Sequence, residues 1–239
     1  MTSLVFVHGL MGGSRQWQQQ LDALSGFDIV ALDLPGFGGN AQIDALTSIS
    51  EFADWALGEM NTRGVQRFNL VGHSMGGMVA QEMVARDPER VDRLVLYGTG
   101  ATGVLPGRFE TIATSKDRAS AEGSNATARR IAATWFLQRD HAPAYESCAQ
   151  IAELSGIEAI LAGLDAMNGW SGTANLPHIK AKTLVIWGDH DRTYPWGQTE
   201  ELWQSIEGAC LAVLPGCAHA SHLEKPALFN AILENFLTD

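Results

Sequence analysis

Six short runs of apolar, largely β-branched residues recur along the chain, at 4–7, 29–32, 68–71, 94–97, 183–187 and 211–214. None shows the regular apolar/polar alternation of a strand with one wet face, so each predicts a strand buried on both faces of a parallel sheet. Between them the spacing of apolar positions changes to the helical period, at 14–24, 50–62, 75–86, 197–206 and 227–237. Strand and helix in alternation predict an α/β domain, a mostly parallel sheet of about six strands with helices on both faces. The first strand begins almost at the N-terminus, and a sheet of this size leaves an edge open to pairing.

The alternation stops between residues 103 and 173. That stretch is Ala-rich and helical in period, with apolar positions that include Phe109, Ile112, Ile131, Trp135, Phe136, Ile160 and Leu164. It is read as a helical cap (103–173) inserted into a core made of 1–102 and 174–239, on the carboxyl side of the strands where open α/β sheets bind ligands.

With 239 residues, 46% of them hydrophobic, the chain can bury one sizeable core. A formal net charge of -11 repels phosphate backbones and anionic membranes, which argues against nucleic-acid and membrane partners. Cys148, Cys210 and Cys217 are odd in number and lack C-x-x-C spacing, so neither a disulfide framework nor a zinc site is expected. There is no signal-peptide pattern and no apolar run of about eighteen residues, and the expectation is a cytoplasmic protein with reduced thiols.

Chemistry enters at residues 69–77, which read N-L-V-G-H-S-M-G-G. A strand-like run stops at Ser74 with Gly72 and Gly76 two residues to either side, the G-x-S-x-G pattern of a strained strand-to-helix turn that leaves a serine hydroxyl exposed. A serine hydroxyl needs a base, and the base needs a carboxylate to hold its tautomer. Later loops supply both residue types. Gly188-Asp189-His190-Asp191 follows the fifth strand, and Pro215-Gly216-Cys217-Ala218-His219 follows the sixth.

In this order, His8-Gly9-Leu10, the D-L-P-G-F-G run at 33–38, the Ser74 turn, the Gly188 loop and the 219–226 segment resemble the α/β-hydrolase family over nearly the whole chain. The family's G-x-x-D-x-x-x-P pattern selects Asp191 over Asp189. Its H-x-x-x-x-E-x-P pattern selects His219, with Glu224 and Pro226, over His222. The resemblance implies backbone N–H donors for an oxyanion at Leu10 and Met75, and a structural role for His8. It implies no cofactor and no metal; the His219/His222 pair lacks a helical setting and a third ligand.

Ser74 in place of an aspartate argues against the epoxide-hydrolase and haloalkane-dehalogenase branches. Hydrolases of carbon-carbon bonds usually carry Asn before the serine and Trp after the histidine, where this chain has His73 and Ala220. The pyruvate-eliminating synthase carries Arg where this chain has Met78. The expectation is therefore hydrolysis of a small carboxylic ester or lactone, with carbon-carbon bond hydrolysis or pyruvate elimination on an anionic substrate as the first alternative and a ligand receptor of the same fold as the second. His73, Trp135, Phe136, Met167 and Trp170 are candidate substrate contacts, and the cap's basic residues, among them Arg108, Arg118, Arg129, Arg130 and Arg139, offer a partner for a substrate carboxylate. Gly98-Thr99-Gly100-Ala101-Thr102-Gly103 satisfies G-x-G-x-x-G, but Pro106 and Gly107 follow and no helix is expected to open there, as a dinucleotide site requires. Oligomeric state is not legible.

Overall fold

The computed structural model describes residues 2–104 and 110–239. Its centre is a six-stranded sheet in the order β2-β1-β3-β4-β5-β6, every neighbouring pair parallel. The strands are β1 (Ser3–Val7), β2 (Asp28–Ala31), β3 (Phe68–His73), β4 (Val91–Tyr97), β5 (Lys182–Gly188) and β6 (Cys210–Leu214). The chain runs outward from β1 to β2 and then returns to lay β3 on the other side of β1. The topological switch therefore falls between β1 and β3, where a crevice opens at the carboxyl ends of the strands.

Side chains alternate along each strand between two cores. On one face Val5, Val7, Leu70, Leu94 and Leu96 pack with α2 (Ile49–Thr62), α3 (Met75–Arg86) and α8 (Trp196–Ser205). On the other, Leu4, Phe6, Val71, Val95 and Tyr97 meet Trp17, α1 (Gln18–Ala23) and α10 (Pro226–Thr238). Burial on both faces holds for the inner strands only. The outer strands β2 and β6 are partly exposed along most of their length because each lies at an edge of the sheet.

Local signals set the helix boundaries. Ser48 accepts from the Glu51 N–H at 3.1 Å and donates to the Glu51 carboxylate at 2.9 Å, an N-cap worth about 1 kcal/mol at the start of α2. The stretch at 14–24 is not one helix. Asp33 takes both the backbone N–H and the hydroxyl of Ser14, at 2.7 and 2.8 Å, and Trp17 is buried against Phe6. The first turn is tightened into a 3-10 turn (Ser14–Trp17) before α1 begins.

Between β4 and β5 lie α4 (Ile112–Glu122), α5 (Ser124–Thr134), α6 (Tyr145–Ala152) and α7 (Ile157–Met167). The chain enters and leaves this segment through a short paired stem. The Gly103 N–H donates to Trp170 O at 2.9 Å, Gly172 N–H to Ala101 O at 2.8 Å, and Thr102 bridges Ser171. Phe109 and Arg108 lie outside the described residues. A short helix, α9 (Ser221–Glu224), precedes α10. No single helix among the described residues is long and apolar enough to cross a membrane.

Candidate active site

Ser74 joins β3 to α3 with φ 57° and ψ -124°, a left-handed φ that is uncommon for a residue other than glycine. The turn is held by Ser74 N–H donating to Tyr97 O at 3.0 Å, and by Gly77 N–H and the Thr99 hydroxyl donating to Ser74 O at 2.9 and 2.7 Å. The flanking glycines are there for space. A Cβ on Gly72 would lie 2.5 Å from Gly76 O and 2.7 Å from the Ala80 methyl, and one on Gly76 would fall on the carbonyls of Val7 and His8. Serine at a helix start ordinarily spends its hydroxyl on capping, but Ser74 makes no side-chain cap bond and its Oγ is left to the pocket.

His219 and Asp191 come from the loops after β6 and β5. His219 Nδ1 lies 2.8 Å from Asp191 Oδ2, with both side chains almost wholly buried. The other carboxylate oxygen, Oδ1, accepts the backbone N–H groups of Thr193 (2.7 Å) and Tyr194 (3.1 Å). A carboxylate so placed holds the proton on Nδ1 and leaves Nε2 as an acceptor. His219 and Ser74 line the same pocket. No hydrogen bond joins them among the described residues; bonds of this kind commonly tighten only when substrate is bound.

The His219 loop is anchored by residues of the family pattern and by aromatic rings. Glu224 accepts the N–H groups of Ala218 and Leu137, at 2.6 and 2.7 Å, and Ala220 N–H donates to Trp135 O at 2.8 Å. The Tyr97 hydroxyl donates to the carbonyl of His219 at 2.6 Å, and His73 Nε2 lies 3.1 Å from the same oxygen. Asp189 accepts the Cys217 N–H at 3.3 Å on the outer side of this loop, while Asp191 takes the imidazole. Gly98 (φ +51°) has a reason for its lack of a side chain, because a Cβ there would stand 3.2 Å from His219 Nδ1. The glycines of the G-x-G-x-x-G run thus serve packing, and the next described helix begins only at Ile112.

The Leu10 turn follows β1. His8 accepts the Leu34 N–H on Nε2 at 2.9 Å, so its Nδ1 carries the proton that Gly9 O receives at 2.8 Å. Gly9 O also accepts from Gly12 N–H at 3.0 Å, and Met11 has φ 57°. Met75 is the first residue of α3, where a helix leaves its N–H groups without intrahelical partners and the dipole favours negative charge. Leu10 and Ser74 line the pocket together.

Of the candidate substrate contacts, His73, Trp135 and Met167 line this pocket. Phe136 and Trp170 lie elsewhere. Phe136 is fully buried in the core, and the indole N–H of Trp170 turns away to donate to Glu82 on α3 at 2.9 Å. Of the cap's basic residues offered as a carboxylate partner, Arg130 lines the cavity; the pattern along the chain missed Gln16, Thr127, Tyr194 and Glu110, which line it too. Helical period shows that a residue has a face but not which neighbour that face meets. His222, set aside because it meets no family pattern, has a structural place. It is buried behind His219, 4.6 Å from the Trp17 ring, with its Nδ1 at 3.2 Å from the Tyr97 hydroxyl. His141, His178 and His190 are exposed. No group of three or more metal-ligating side chains occurs among the described residues.

Burial keeps the inner histidines neutral. It lowers His8, lowers His73 well below the ordinary value with help from His219 and His222, and pushes His222 down to about 3. Each takes up a proton near pH 6.5 once the chain unfolds, so below that pH the unfolded state binds more protons and stability falls as pH falls. His222 alone should remove about 2 kcal/mol between pH 7 and pH 5. The expected result is a urea midpoint that drops steadily over this interval; a midpoint flat from pH 7 to pH 5 would rule out buried neutral histidines.

A parallel α/β sheet whose β3-α3 junction presents a strained serine at the topological switch defines an α/β hydrolase architecture. The chain belongs to the α/β hydrolase fold family, whose model matches residues 2–226, and it is a hydrolase of that fold. It is 31% identical to a 2-hydroxy-6-oxononadienedioate/2-hydroxy-6-oxononatrienedioate hydrolase of Burkholderia vietnamiensis, over 98% of this chain and 86% of that protein. It is 28% identical to a protein of Pseudomonas savastanoi pv. phaseolicola named for carbamate hydrolysis, RutD, over 98% and 93%. Among solved structures, the enol-lactonase of Burkholderia xenovorans LB400 superposes with a TM-score of 0.91 at 27% identity, covering all of this chain and 92% of that one.

Proposed function

We propose that this protein is a serine hydrolase that opens a small carboxylic ester or lactone through an acyl-enzyme. The observation that carries the reading is the pairing of a strained, uncapped Ser74 with an imidazole whose Nδ1 is held 2.8 Å from a buried carboxylate, both at one pocket. Ser74 Oγ attacks the carbonyl carbon while His219 Nε2 takes its proton. Asp191 stabilises the resulting imidazolium. The N–H groups of Leu10 and Met75 receive the oxyanion, and His219 passes its proton to the leaving alkoxide. Water, deprotonated by His219, then releases the acid. No cofactor enters any of these steps.

Helices α4–α7 act in this reading as a cap (103–173) that sets the substrate. The cavity is about 90 Å³, well under the roughly 300 Å³ at the lower end of common ligand sites, which favours a small molecule. The likeness to an enol-lactonase supports ester or lactone chemistry. A second reading, cleavage of a carbon-carbon bond beside a ketone, is favoured by the dienedioate hydrolase relative, while His73 and Ala220 depart from the Asn and Trp usual there.

The test is a panel of 4-nitrophenyl esters from acetate to hexanoate, γ- and δ-lactones, a carbamate and a 2-hydroxy-6-oxodienoate. Multiple turnover of esters or lactones at kcat of about 1 s⁻¹ or more, an ordinary enzyme rate, is the expected result. Turnover of the dienoate alone would move the assignment to carbon-carbon hydrolysis. A single-turnover burst with every substrate would point to a receptor.

A further inference from the structure

Around the reacting centre the pocket wall is largely apolar, with Leu10, Met11, Ile131, Ile160, Leu164 and Met167. One corner differs. Helix α5 turns Thr127, Arg130 and Thr134 to the cavity at intervals of three and four residues, which places them in one row.

Thr127 is 3% exposed, and its Oγ1 makes no hydrogen bond, not even the bond to the preceding turn that helical threonines commonly form. Buried hydroxyls are nearly always satisfied, so an unpaired one on a pocket wall marks a place where a bound molecule completes the set. One turn further on, Arg130 commits only its Nε, to Glu122 at 2.7 Å. Both of its Nη groups are uncommitted among the described residues.

The surrounding charges are otherwise engaged. Glu110, also on the wall, accepts the Ser115 hydroxyl at 2.8 Å and faces Arg118 at 3.9 Å, while Arg118 Nε holds Glu122 at 2.7 Å. Arg129 is bound to Glu146 and Glu153, and Lys116 to Asp165. Among the described residues Arg130 is the one Lys or Arg that lines this cavity. The donors still open there are a planar guanidinium edge and a hydroxyl, a pairing suited to the two oxygens of a carboxylate.

We propose that Thr127 and Arg130 form a carboxylate subsite, so that the substrate is an ester or lactone carrying a second, free carboxylate away from the reacting carbonyl. The assignment rests on the serine-hydrolase reading above. It makes the two residues determinants of specificity, acting on KM through the anionic end of the substrate.

Two matched pairs test it with the whole protein: 4-nitrophenyl hydrogen glutarate against 4-nitrophenyl valerate, with the charge on the acyl side, and 4-acetoxybutanoate against pentyl acetate, with the charge on the alcohol side. In at least one pair the wild type should favour the anion by about tenfold or more in kcat/KM, mainly through KM. Arg130→Gln should abolish that preference, Thr127→Val should reduce it severalfold, and Thr127→Ser should retain it. Glu122→Gln, which weakens the ion pairs of Arg130 and Arg118 but removes neither pocket donor, should keep it. The absence of preference in both pairs, or a preference that survives both Arg130→Gln and Thr127→Val, would overturn the subsite. Should the wild type also fail to hydrolyse the neutral esters and to label with a fluorophosphonate, it is the serine-hydrolase reading that falls.

Discussion

Ser74→Ala is expected to lower kcat/KM for the best substrate of the proposed panel by about 10⁴- to 10⁶-fold, the scale on which a serine nucleophile is normally missed, and to abolish labelling by a fluorophosphonate probe. The physical basis is that Ser74 is the pocket hydroxyl set on the strained β3-α3 turn, and neither Tyr97 nor Cys148 can take over the covalent step. Tyr97 is held as a phenol by burial, which raises it well above its ordinary value, and its hydroxyl is bound to the His219 carbonyl. Cys148 is pushed up to about 12 by burial and does not line the pocket, so no thiolate substitutes. The fold should survive, because the elbow is held by the backbone of residue 74 and by Thr99 rather than by the serine side chain. Alanine inherits the strain of φ 57°, which costs on the order of 1–3 kcal/mol, whereas glycine does not. Ser74→Gly should therefore melt above Ser74→Ala while being equally inactive. Labelling that persists in Ser74→Ala would place the nucleophile elsewhere.

The second large effect concerns the acid. Asp191→Asn should reduce kcat by about 10⁴-fold with little change in KM or in folding. An amide at this position can still accept the Thr193 and Tyr194 N–H groups through its oxygen, so the loop keeps its shape. Toward His219 it presents an NH₂ donor, which puts the lone pair on Nδ1 and the proton on Nε2. An imidazole in that tautomer cannot receive the serine proton. Asp189→Asn is the matched control: Asp189 reaches the Cys217 N–H and not the imidazole, and its rate should stay within about threefold of wild type, as expected for a partly exposed position away from the reacting groups. Equal losses for the two variants would show that the loop, and not the charge on Asp191, is what matters.

Much of this architecture could be read before any coordinate. Unalternated apolar runs separated by helical period define a parallel sheet because both faces of such a strand must be apolar, and that constraint is local to each segment. The elbow is equally legible, since Gly72 and Gly76 are demanded by atoms only a few residues away or in the adjoining strand. The carboxylate and the base were legible as residue types in loops after the fifth and sixth strands, and their selection among Asp189, Asp191, His219 and His222 came from the family's spacing.

Side-chain direction across elements was not legible. Trp135 and Met167 face the cavity while Phe136 and Trp170, equally aromatic or apolar and equally placed in the helical segment, do not; Trp170 is held by Glu82, 88 residues away, and Phe136 is buried in the core. His222 looked incidental until the fold packed it against Trp17 and edge-on to Tyr97. Thr127 and Arg130 carried no motif at all. Order along the chain specifies strands, turns and the residues that backbone geometry requires, because those interactions span a few residues. Which side chains share a pocket depends on packing between segments distant in sequence, and only the folded chain brings α5 over Ser74.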